Sequence, residues 1–506
     1  MLDNVVEALS LLFTVKSLFF MITGLVLGIV VGAIPGLGGS MAVGVLLPMT
    51  YTMSMLHALL LLTGIYKGCM VGGSFSAILI NTPGDAPAAA TLLDGFPMNQ
   101  NGESRKALQA AIFGSSFGDF VSDILLVVGA VTLAPLVLKF GPSQIFWVGI
   151  FSLVVTGCLA GKSIWFGLVS IIIGLLLGCV GLDVLSATPR FGVIPKLGLL
   201  EGIDLIAFLI GAFAVSEVLF NILPSQRREN AKNLENVAGF YGPSLTRKEF
   251  FSSFKAMFTG SGIGCFIGAV PGLGATAAAF LSYGISKQLY GNKGISGKKF
   301  GEGAVEGVFA CESANSAVSG CSFIPMLCLG IPGSATGALI LAAFVLHGIS
   351  PGPGIFNHHA PLIFAFFFAL MLGAVLNIPL SFILAKPLTW LLKKNPSIVY
   401  PIVLLLCFAG TYSINQRVFD LGILCAVSLL AFGMKRVSIP LAPMVIAFIL
   451  SNIIEQNFRM SMAITRGQFY IFWDSTINKV LIAMTVIAFI TFVVQRLRGK
   501  EVIDDE

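Results

Sequence analysis

Charge is what this chain of 506 residues is short of: 30 Lys plus Arg and 24 Asp plus Glu amount to 11% of it, where a soluble globular chain carries roughly 25%. Too few polar residues remain to cover a soluble domain of this size. Together with a content of 56% hydrophobic residues, this also excludes disorder, fibrous repeats and a small disulfide scaffold. Met1 to Ser10 lacks a basic stretch and carries Asp3 and Glu7 instead, so no cleaved signal peptide is expected. The nine cysteines show no C-x-x-C spacing, and those at 69, 158, 179, 265, 321, 328 and 407 stand in apolar runs as small hydrophobes. Gly291 to Lys299 has the wrong spacing for a phosphate-binding loop. His57, His347, His358 and His359 make no metal set, and no G-x-S-x-G accompanies a partnered His and Asp. No enzyme, catalytic residue or cofactor is therefore expected, and the net charge of +6 does not suggest nucleic acid as a partner.

What is present is apolar sequence in long runs. The chain reads as an all-α, polytopic integral membrane protein in a lipid bilayer, with about 10–14 helical segments at some 20 residues per span. No Asp, Glu, Lys or Arg occurs in the 50 residues between Lys16 and Lys67, the 31 between Lys255 and Lys287, or the 73 between Glu312 and Lys386. The second interval is too long for one straight span and is flanked on both sides by basic residues. Arg227, Arg228, Lys232, Arg247, Lys248 and Lys255 precede it, and Lys287, Lys293, Lys298 and Lys299 follow. Both flanks favour the cytoplasm. The interval is thus read as a re-entrant hairpin turning at Pro271-Gly272-Leu273-Gly274, with two short spans as the alternative. Further segments are expected near 361–392, 396–414, 418–434, 440–456 and 477–495, with Lys393, Lys394, Lys435, Arg436, Arg496, Arg498 and Lys500 cytoplasmic; Arg417, Arg459 and Arg466 fit this threading poorly. The expected units are a first transmembrane half over 1–223, a polar connecting loop over 224–255, a second half over 256–500 and an acidic tail over 501–506.

The halves resemble each other. Gly24, Gly28, Gly32, Pro35, Gly36, Leu37 and Gly38 recur as Gly260, Gly264, Gly268, Pro271, Gly272, Leu273 and Gly274, all at an offset of 236. Asn81-Thr82-Pro83-Gly84-Asp85 corresponds to Gly330-Ile331-Pro332-Gly333-Ser334. An ancient duplication is expected. Only Lys16 and Lys67 lie near the first hairpin, whereas the second has many cations, and this asymmetry points to inverted halves.

Glycine every fourth residue makes a face on which another helix packs closely. The Pro-Gly breaks differ, because proline removes a donor and glycine permits left-handed dihedrals, so one helix stops and another starts. A restarting helix presents free N–H groups to a carboxylate, and a stopping one presents carbonyls to a cation. Paired interrupted segments are a pointer to a transporter's substrate site. The expected substrate and ion ligands are Gly36, Gly38, Ser40, Asn81, Thr82, Gly84, Asp85, Gly272, Gly274, Thr276, Glu312, Asn315, Gly333 and Ser334. The hydroxyls among them also suit plain helix capping. No fixed metal is expected, only a transient Na⁺ near the breaks. Asp119 and Asp123, four apart, share a helical face and suit a cation or a subunit contact.

These motifs, with Leu93-Asp94-Gly95-Phe96-Pro97, the run Phe300 to Val308 and the run Leu329 to Ile349, resemble the large membrane subunit, TctA type, of tripartite tricarboxylate transporters. The family's Pro-Glu and paired Asn stand here as Cys311-Glu312 and Asn315-Ser316, a departure that bears on the solute. The resemblance implies a multi-pass protein of the bacterial inner membrane that imports a carboxylate, with citrate-like tricarboxylates as namesake solutes. It implies two partners, a small membrane subunit (TctB type) and a periplasmic solute-binding protein (TctC type), and an ion gradient, Na⁺ or H⁺, in place of ATP. A channel or pore for an organic anion is the alternative.

Overall fold

The computed structural model describes residues 2–159, 164–183, 188–190, 199–223, 240–272, 274–291, 293–294, 297–352, 354–392 and 399–501. Leu273, Arg227, Arg228, Lys232, Lys393, Lys394, residues 502–506 and the first half of the connecting loop, 224–239, lie outside the described residues, and the side chains of Arg496, Arg498 and Lys500 are likewise not described. Among the described residues the chain is almost wholly helical, with one pair of two-residue strands, Gly181–Leu182 and Pro189–Arg190. Six helices of the described residues are long and apolar enough to cross a membrane, and six shorter apolar helices accompany them. Large apolar side chains such as Phe258, Phe266, Leu405 and Ile487 point outward, as a surface in contact with lipid tails requires.

Two helix pairs carry the glycine stripes. In the first, a glycine helix (Val15–Ala33) lies on a partner helix (Met55–Ile80). A Cβ at Gly24, Gly28 or Gly32 would stand 2.3, 2.3 and 2.5 Å from the carbonyl oxygens of Leu61, Ile65 and Cys69. Gly64, Gly68 and Gly72 meet the glycine helix in return, within 2.9 Å of its backbone by the same measure. In the second pair, a glycine helix (Phe254–Ala269) lies on a partner helix (Val305–Cys321). Here Gly260, Gly264 and Gly268 face the carbonyls of Ala310, Ala314 and Val318, the residues 249 positions beyond Leu61, Ile65 and Cys69. Small side chains let the backbones approach this closely.

Both glycine helices end in the same way. The first stops at Ile34 and the second at Val270, and the turns that follow place Gly36 and Gly272 at φ of 79° and 87°. The chain then restarts as Gly39–Leu46 in one half and as Gly274–Leu289 in the other. The second return arm has 16 residues against 8 in the first. Phe254–Ala269 and Gly274–Leu289 pack side by side as a hairpin. At 1.5 Å per residue each arm is about 24 Å long, short of the roughly 30 Å hydrocarbon core.

Each pair is followed by a long bracing helix, and the braces are exchanged. Ser104–Val137 packs mainly on the second pair, whereas Ala360–Leu391 packs on the first. Around them, Pro142–Leu159, Ile164–Gly178 and Thr476–Glu501 gather on Leu441–Ile464 and each other, and Leu205–Asn221 packs with Val399–Asn415 and Val418–Arg436. The later helices therefore stand close to the segments expected at 361–392 through 477–495.

Lys67 departs from the expected pattern. It does not flank a membrane segment: it lies within Met55–Ile80, 1% exposed, and is ion-paired with Asp119 and Asp123. A cation neutralised inside the protein says nothing about which face a loop occupies, so only Lys16 is left flanking the first hairpin.

Candidate functional site

The four Pro-Gly breaks meet around one cavity of about 540 Å³. From the first hairpin come Gly36, Gly38 and Ser40; from the first break, Gly84 and Asp85; from the second hairpin, Gly272, Gly274 and Thr276; from the second break, Gly333 and Ser334. Ten of the fourteen expected ligands thus share one wall-to-wall space, although residues 36 and 334 are almost 300 positions apart.

The local reasons are those of helix termini. Asn81 ends its helix in the left-handed conformation at φ 55°, and Gly330 ends Phe323–Leu329 in the same way at φ 73°. After Gly330 the chain turns through Pro332-Gly333, and Ser334 caps the next helix, Ala335–Leu346, by accepting the N–H of Gly337 at 3.0 Å. After Asn81 it turns through Pro83-Gly84, and Asp85 Oδ1 accepts the N–H of Ala88 at 3.2 Å. Three helices, beginning at Gly39, Gly274 and Ala335, therefore start at the cavity. Their first-turn N–H groups have no intrahelical partners and carry the positive ends of the helix dipoles.

Tight packing holds the breaks in place. Gly84 donates to Gly73 O at 3.3 Å, and a Cβ on Gly84 would stand 2.2 Å from Gly32 O. In the second half the N–H of Gly272 donates to Gly333 O at 3.1 Å, which ties the hairpin tip to the break. Each hairpin tip is also held by a side chain from elsewhere. Asn221 Nδ2 donates to Gly36 O at 3.0 Å, and Thr156 Oγ1 donates to Pro271 O at 3.3 Å.

The described cavity lining contains no Lys or Arg. Its two acids are Asp85 and Glu217, and Glu217 is paired with Lys435 and accepts from Asn221 at 3.3 Å. Glu217 lies two residues past a π-helical stretch, Ile210–Val215, a feature frequent at functional sites. Tyr66, Met41, Met70, Val318 and Ile446 complete the apolar part of the wall. Sequence reasoning missed Tyr66, Thr156 and Asn221, which carry no local signal. Glu217 differs from them, because a carboxylate within an apolar run is a functional candidate on the sequence alone.

Four expected ligands lie elsewhere. Asn81 is the helix cap just described, and Thr82 Oγ1 donates to Ile80 O at 3.3 Å. Glu312 is fully buried and accepts from Thr91 and, at 2.7 Å, from Ser115, so it joins the second partner helix to the first bracing helix. Asn315 is buried one turn before Val318, behind the cavity wall, and neither atom of its amide has a hydrogen-bond partner.

Broken helices gathered around a common cavity are a recurring architecture of membrane transporters. The chain belongs to the tripartite tricarboxylate transporter TctA family, whose family model matches residues 18–446. It is 33% identical over 482 residues, 94% of this chain and 93% of the other, to an uncharacterized 52.8 kDa protein in the TAR-I ttuC' 3' region of Agrobacterium vitis. It is also 33% identical over 241 residues to an uncharacterized protein in the TAR-II ttuC' 3' region of the same organism, covering 47% of this chain and 96% of that one. No solved structure matches.

Proposed function

We propose that the chain is the large membrane subunit of a carboxylate importer of the bacterial inner membrane, driven by an ion gradient. In this reading it works with a small membrane subunit and a periplasmic solute-binding protein, and the solute is a tricarboxylate such as citrate or a related organic acid. The observation that carries the reading is the cavity. Three helix N-termini and the hydroxyls of Ser40, Thr276 and Ser334 surround it without a fixed cation. Free N–H groups hold a carboxylate firmly enough to select it, yet leave no permanent countercharge to retain it. The two halves, 1–223 and 256–500, are taken as an inverted duplication, with the glycine-packed pairs as the moving or fixed bodies between which the site alternates.

The test is uptake of radiolabelled citrate and a panel of di- and tricarboxylates by proteoliposomes holding the chain and both partner subunits. The expected result is saturable uptake that stops when the ion gradient is collapsed. A flux that neither saturates nor needs the gradient identifies a pore instead.

A further inference from the structure

The cavity is not the only place where charge is gathered. Lys67 Nζ lies 2.9 Å from Asp119 Oδ1 and 2.9 Å from Asp123 Oδ2, and all three side chains are at most 2% exposed. Two carboxylates against one ammonium leave one negative charge in excess. Among the described residues, the groups facing them supply no second cation: Tyr66 on the same helix, Ser319 and Cys321 from the second partner helix, Cys265 from the second glycine helix, and Asn377 from the second bracing helix, which donates to Lys67 O at 3.3 Å. Glu312, on the helix of Ser319, is held by Thr91 and Ser115.

Several buried polar atoms on these helices have no partner, and two of them bear on the cluster. One is Asp123 Oδ1, on a fully buried side chain. The other is Ser316 Oγ, which shares a helical face with Glu312 and Ser319, the residues bonded to Ser115 and Asp119. An unpaired carboxylate oxygen in such a place is costly. Lys67 Nζ already occupies the point between the carboxylates where a metal ion would sit. The missing positive charge is therefore one that needs no room.

We propose that Asp123 is the proton-binding residue through which a pH gradient drives this carrier, a step that rests on the reading of the chain as a gradient-driven transporter and names its ion. A proton from the aqueous phase forms an O–H bond at Asp123 Oδ1. Lys67 remains an ammonium and keeps Asp119, and the cluster becomes neutral. The position couples this event to the cavity, because Tyr66 and Val318, beside Lys67 and Ser319 in the chain, form part of its wall. Unprotonated Asp123 ties the first partner helix doubly to the first bracing helix. Protonation at Oδ1 turns the Lys67 contact at Oδ2 from an ion pair into a weaker hydrogen bond to a neutral carboxyl, which loosens one of the two ties and lets the first pair shift against that brace.

Two measurements on the full chain test this. Infrared difference spectra of the purified protein in lipid, recorded across a pH titration, should show the carbonyl stretch of a protonated carboxyl. Asp123→Asn should lose that band, Asp123→Glu should keep it, and Lys67→Met should carry it to higher pH, a shift that a merely structural cluster would not give. In proteoliposomes with both partner subunits and citrate as the probe, wild-type uptake should change roughly tenfold per pH unit on the steep side of the titration, and Asp123→Asn uptake should lose that dependence. Absence of an Asp123-dependent band overturns the proposal. So does uptake driven equally by a Na⁺ gradient in wild type and Asp123→Asn. The band without uptake of any carboxylate leaves the proton site standing and overturns the transport reading instead.

Discussion

Gly36 and Gly272 occupy equivalent tips at φ 79° and 87°, yet their surroundings differ. A Cβ at Gly36 would fall 2.7 to 2.9 Å from the amide end of Asn221, a movable group, whereas one at Gly272 would fall 2.0 Å from Thr156 Oγ1 and 2.5 Å from its Cβ. Left-handed backbone costs a non-glycine residue about 1–2 kcal/mol, and the contact adds to it only where the neighbour cannot give way. Gly36→Ala is thus expected to reduce uptake partially, with some recovery in Gly36→Ala/Asn221→Ala, and Gly272→Ala to abolish it. Initial uptake rates normalised to the amount of inserted protein check this. Equal losses at both tips would refute the distinction.

At the scale of elements, the interlocked glycines decide how near two helices come. Gly28 lies against Ile65 O, and Gly68 against Leu25 O, so a side chain at Gly28 meets backbone on the facing helix. Overpacking of this kind costs typically about 1–3 kcal/mol. Gly28→Leu is expected to lower the thermal unfolding temperature of the purified protein, whereas Gly262→Leu, whose Cβ has no atom within 4 Å, should leave it within a degree or two of wild type, as the small effects of unpacked positions imply. Comparable losses at both positions would count against close packing as the origin of the pairing. The stripe was legible because small residues every fourth position have few other uses. Its partners were not all legible: Gly64, Gly68 and Gly72 correspond in the second half to Ser313, Ala317 and Cys321, small residues that share size and not identity.

For the whole molecule, buried and paired charge bears on orientation in the membrane. Lys67 is internal, and Arg417 and Arg459 are paired with acids, Arg417 with Glu201 and Asp420 and Arg459 with Asp183 and Glu455. Paired arginines lose much of their weight as cytoplasmic markers, and this accounts for their poor fit to the positive-inside threading. Inversion of the halves predicts that Val15 and Phe251, exposed residues at the entry of the two glycine helices, lie on opposite faces. In a background lacking the exposed Cys425, Val15→Cys and Phe251→Cys should react with an impermeant thiol reagent from opposite sides. Labelling of both from one side would rule the inversion out.

Much of this protein follows from its sequence alone. Scarce charge requires helices buried in lipid, and Pro-Gly in apolar sequence requires those helices to break, because both are properties of a residue and its immediate neighbours. Seven Gly, Pro and Leu identities at one offset pair the two hairpin tips. Tertiary structure alone decided that all four breaks open on one cavity, that Asn221 and Thr156 hold the hairpin tips, and that Lys67 is buried between Asp119 and Asp123. Each of these is a contact between helices far apart in the chain, and in an apolar bundle many pairings satisfy the same composition. Which one forms depends on backbone approach and on matching buried charge with buried charge, and neither is encoded in local sequence.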